Sequence, residues 1–95
     1  MGTFHQDRGE FHGITVVVDT SGPVAYVGRC NMVTPEGVYF FDADRLEVEA
    51  GQDVAEAKEA WMRRAAQVGY WKKHENLHVP AAEVASIRRL GDVAG

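Results

Sequence analysis

The chain has 95 residues, a formal charge of −4, 45% hydrophobic and 25% charged residues, which fits one folded domain with a thin core and excludes a disordered or collagen-like chain. An acidic balance argues against general nucleic-acid binding, because phosphate contacts need a basic surface. Cys30 is the only cysteine, so an intrachain disulfide scaffold is excluded.

In chain order, residues 1–13 carry three glycines, two histidines and mixed charges without a period, and are read as a flexible arm. They lack the apolar stretch of a signal peptide, and no strictly apolar run exceeds the four residues of 38–41, far short of a membrane span. The expected location is therefore the cytoplasm, with no membrane partner.

Residues 14–18 alternate and are rich in valine, which suits a pleated strand. The Thr20-Ser21-Gly22-Pro23 stretch is a turn, and residues 24–30 form a second strand in which Gly28 marks a bulge or close backbone approach. A loop is expected over residues 31–37. A third strand covers residues 38–42, bends at Asp42-Ala43-Asp44 and continues through residues 45–49. One helix is expected over residues 53–69: Asp53 and Glu56 resemble a capping box, Val54, Ala57, Trp61, Ala65 and Val68 make an apolar stripe, Glu59 precedes Arg63 at i,i+4, and Gly69 is a stop. Residues 70–76 form a charged connector. Residues 77–79 are a short strand ended by Pro80, residues 81–83 one tight turn, and residues 84–90 the last strand. The tail from 91 to 95 is read as frayed. The single domain thus spans residues 14–90.

The expected class is α+β, mainly β, with five short, strongly bent strands and a helix inserted between strands 3 and 4. Strands this short and bent suggest closure into a small barrel, which removes exposed edges. The order of signals resembles the Sm-like version of the SH3-like barrel. The first motif of that family maps onto residues 14–18, Gly22, residues 24–28, the loop to Gly37, and residues 38–41 followed by Asp42. The apolar spacing of its second motif is met by Val79, Val84 and Ile87. The RNA-binding signature of the family is absent: Thr34 and Val38 stand where it has Asp and Asn, and Pro80-Ala81 where it has Arg-Gly. The family also carries its helix before the first strand, whereas here one lies between strands 3 and 4.

No residue pattern reads as a catalytic site. Ser21 and Ser86 lack a nucleophile-elbow context, Gly28-Arg29-Cys30 is not a phosphate loop, and Cys30 has no base at a readable distance. His74 and His78 have the i,i+4 spacing of helical metal ligands but fall in a connector entering a strand, where that spacing loses its meaning. Asp42-Ala43-Asp44 is too poor in ligands for a calcium loop. No cofactor or metal is expected, and the chain is read as a non-enzymatic binding or assembly module.

Two surfaces are candidates for that role. Residues 1–57 sum to −7 and residues 58–95 to +3, so acids at Asp42, Asp44, Glu47 and Glu49 and bases at Lys58, Arg63 and Arg64 are candidates for self-association into a homo-oligomer. Tyr70, Trp71, Lys72 and Lys73, with Arg88 and Arg89, combine rings with cations and are the candidate nucleic-acid or partner contact, a reading placed second.

Overall fold

The computed structural model describes residues 11–93. Its elements are β1 (Thr15–Thr20), β2 (Val24–Thr34), β3 (Gly37–Glu47), α1 (Val54–Val68), β4 (His74–Pro80), a 3-10 turn (Ala81–Glu83), β5 (Val84–Arg89) and a second 3-10 turn (Leu90–Asp92). The class is α+β, mainly β, with the helix between β3 and β4. All strand pairs are antiparallel, in the order β4-β3-β2-β1-β5.

The expected barrel is corrected to an open sheet, since hydrogen-bonded pairing does not join β4 to β5. The Ala81–Glu83 turn joins the end of β4 to the start of β5, and the two strands run on from it without hydrogen-bonded pairing.

Both faces of the sheet are covered, which explains the valine run in β1. Val16 and Val18 join Tyr26, Cys30, Val38, Phe40, Ala43 and Val79 in one core, and the intervening Val17 joins Ala25, Val27, Met62, Ala65 and Val93 in a second core that includes the helix. Val93 is buried, so the chain after β5 is anchored at least that far. Phe11 packs on the first core and Gly13 N–H donates to the Cys30 carbonyl at 2.8 Å, which orders the chain just before β1; the earlier part of the expected arm lies outside the described residues, as do residues 94 and 95.

The expected loop over residues 31–37 is instead a hairpin end. β2 runs to Thr34 and β3 starts at Gly37, leaving Pro35 and Glu36 as the corners. The Thr34 hydroxyl accepts the Glu36 N–H at 3.1 Å, an ST-turn. Register shifts between Val27 and Arg29 and between Cys30 and Met32 interrupt the β2–β3 ladder, the first of them at Gly28, the expected bulge or close approach. The bend in the third strand is present, with Asp42 at φ 48°.

Asp53 caps α1 by accepting the Glu56 N–H at 3.1 Å, and Gly69 closes it at φ 90°. The buried face differs from the expected stripe. Lys58, Met62 and Ala65 are buried and Trp61 is half-buried, while Val54 and Val68 are exposed. The rotation follows from Lys58, whose stem packs inward so that its ammonium reaches the β1–β2 turn.

Candidate functional site

The C-terminal end of α1 and the segment leaving it gather the ring-and-cation residues. Gly69 turns the chain back toward the sheet, and this tucks Tyr70 against the second core. Burial pushes the Tyr70 phenol above its ordinary value, with a hydrogen bond from Thr15 opposing that and Asp42 adding to it. Trp71, one residue on, is the most exposed large apolar side chain among the described residues at 75%, followed by Val68 at 72%. Both line an open groove of about 280 Å³ with Arg64, Gly69 and Tyr70. Arg64 lines it, and Arg63, Lys72 and Lys73, near its lining residues in the chain, are exposed. Among the described residues only Lys73 of these has an ion-pair partner, Asp44 at 3.8 Å.

The two arginines of β5 are placed elsewhere. Arg88 donates to Glu59 at 2.9 Å and contacts the Met62 sulfur at 3.1 Å, so it ties β5 to the helix. Glu59 therefore pairs with Arg88 and not with Arg63 as its i,i+4 spacing suggested. Arg89 is exposed on β5. Of the six candidate contact residues, the structure brings Tyr70, Trp71, Lys72 and Lys73 to one end of the helix, and of these Tyr70 is turned inward.

The charged candidates for self-association divide in the same way. Lys58 is 5% exposed and donates to Asp19 at 2.7 Å, to the Thr20 carbonyl at 3.0 Å and to the Gly22 carbonyl. These acceptors satisfy its three donors, so its charge is spent inside the fold. Asp44 is likewise buried, accepting the Arg45 N–H at 2.8 Å, and Asp42 is half-buried at the bend. Glu47 and Glu49 are exposed at the end of β3 and in the chain leading on to α1, and Asp53 and Glu56 at the start of α1, while Arg63 and Arg64 are exposed toward its C-terminal end. Helical spacing puts Glu56 and Arg64 about 12 Å apart along the axis. The charge split along the sequence becomes a split between the two ends of one helix.

A further cluster was not visible as a motif. On the outer face of β3 and β4 the cross-strand pair Tyr39 and His78 stack at 4.3 Å and 15°. Both lean on the hairpin corner: Tyr39 donates to the Glu36 carboxylate at 3.2 Å, and His78 Nε2 lies 3.3 Å from the Glu36 carbonyl. These rings border a cleft of about 220 Å³ with Asn31, Phe40, Asn76 and Leu77. Strand alternation was the available signal, since Tyr39 lies between the inward-facing Val38 and Phe40.

His74 and His78 both lie in β4, so their four-residue spacing separates them by about 13 Å. Among the described residues no group of three or more His, Cys, Asp or Glu is placed to hold a metal ion, and no helix is long and apolar enough to cross a membrane. No protein-family model matches the chain. No curated protein matches it either.

Proposed function

We propose that this protein is a non-enzymatic assembly module of the cytoplasm that self-associates through the edges of its sheet. The observation that carries the reading is the open order β4-β3-β2-β1-β5, in which the edge strands β4 and β5 each pair with a described strand on one side alone. An edge of this kind is a template for strand addition, and β4 of one copy against β5 of the next is a heterologous contact that closes into a ring or runs on as a filament. Kinship with the Sm-like, SH3-like barrels is part of the same proposal. The pairing of β1 between β2 and β5, the irregular β2–β3 register and the single turn between β4 and β5 support it. The acids at the start of α1 and the bases at its end add steering to such a contact.

Light scattering at micromolar concentration, in low and high salt, tests the reading. The expected result is a mass of several chains that falls as salt rises. A single-chain mass under both conditions overturns it.

Binding of single-stranded nucleic acid is the second reading, favoured by the exposed Trp71 beside Lys72 and Lys73. It expects a shift with an oligonucleotide that weakens steeply with salt. No shift with any single strand at low salt rejects it.

A further inference from the structure

We infer that the C-terminal end of α1 is a docking tip for the surface of an anionic lipid bilayer, with Trp71 and Val68 entering the headgroup region and Arg63, Arg64, Lys72 and Lys73 meeting the lipid charges. Val68 and Trp71 are the two most exposed large apolar side chains among the described residues. They flank one groove together with Arg64. Arg63, Arg64 and Lys72 have no ion-pair partner among the described residues. An indole prefers the bilayer interface, an aliphatic neighbour adds burial in acyl chains, and each nearby Lys or Arg contributes about 1 kcal/mol at an anionic surface.

Charge placement supports a surface over the alternatives. Asp53 and Glu56 lie at the other end of the same helix, while at the tip Asp44 faces Lys73 alone of the four cations, so a negative plane attracts the Trp71 end of the helix and repels its start. A stacking platform for bases uses successive free rings. Here Tyr70 is turned into the second core, and the apolar neighbour left at the tip is Val68, which stacks on nothing. A tip seated on a bilayer surface needs no spanning segment, so the short apolar runs of the sequence do not exclude it.

The test uses the full chain carrying Trp61→Phe, which leaves Trp71 as the single tryptophan. Vesicles of phosphatidylcholine containing phosphatidylserine are compared with pure phosphatidylcholine by co-sedimentation and by tryptophan emission. Expected are sedimentation and a blue shift with the anionic vesicles alone, both reversed by salt. Arg63→Glu with Arg64→Glu is expected to weaken binding by about thirtyfold or more, the loss of two attractive charges. Val68→Ser is expected to weaken it several-fold. Unchanged circular dichroism in these exposed-site variants shows that the fold is kept. Absence of binding, equal binding to neutral vesicles, or full binding by the charge-reversed variant overturns the proposal. So does a blue shift produced by an oligonucleotide, or by raised protein concentration alone, without any response to vesicles.

Discussion

A Cβ built on Gly28 would lie 2.7 Å from the Cβ of Ala43 and 2.9 Å from a ring carbon of Phe40. The register of β2 and β3 shifts at this point, so the backbone there approaches the bend of β3 more closely than a side chain allows. Gly28→Ala is therefore expected to destabilise the fold by about 1–3 kcal/mol through overpacking. Ala43→Gly in the same chain should recover part of that loss in a denaturant titration, and no recovery would place the strain elsewhere. Cys30, two residues on, is fully buried, and burial pushes its thiol up to about 11 from about 9. Below about pH 9 the thiol is neutral in both folded and unfolded chains. Between about pH 9 and 11 only the unfolded chain ionises, so stability falls as pH rises through that window. Thermal melts across it should show a loss whose slope is shallower in Cys30→Ala, and identical slopes would reject this role.

At the scale of elements, Lys58 binds α1 to the β1–β2 turn. Its ammonium donates to a carboxylate on β1 and to carbonyls at Thr20 and Gly22, while Met62 and Ala65 fill the second core beneath the same helix. Asp19 is 36% exposed and Lys58 6%, so water screens one partner and not the other. Either Asp19→Asn or Lys58→Met is expected to cost about 1–3 kcal/mol, because each leaves buried or half-buried polar groups short of a partner. The double variant should lose less than the two single losses added together. Strict additivity in denaturant unfolding would mean that the pair does not act as one unit. The same contact accounts for the expected stripe on the helix being off by about one position. A lysine counted as surface is the residue most firmly docked, and Val68, counted as core, is left outside.

For the whole molecule, the open sheet and the two charged ends of α1 set what the surface can do. The edges at β4 and β5 lie at opposite ends of the strand order, which is the arrangement the proposed head-to-tail contact uses. The proposed loss of oligomer mass with salt belongs to this scale, since exposed charges steer association and are screened over about 10 Å. The lipid-facing tip runs directly into the β4 edge, since His74 follows Lys73, so oligomer mass and vesicle binding are to be measured side by side on the same variants.

Much of the architecture was legible from residues alone. Local preferences act over a few positions, so β-branched runs, the Asp53 cap, the Gly69 stop, the bend at Asp42 and the turn after Pro80 could each be placed from their neighbours. The helix between the third and fourth strands followed from those signals. What stayed hidden depended on groups far apart in the chain. Lys58 meets acceptors 36 to 39 positions away, Arg88 takes Glu59 from a neighbour four residues along, and Tyr39 finds His78 only once β3 and β4 pair. Composition could state that the chain is acidic in front and basic behind. Only the packing of α1 on the sheet decided that Lys58 and Asp44 are buried, that Tyr70 turns in, and that Val68 and Trp71 face out. Burial is a property of three-dimensional neighbours, and a one-dimensional pattern records it only where both faces of an element are unambiguous.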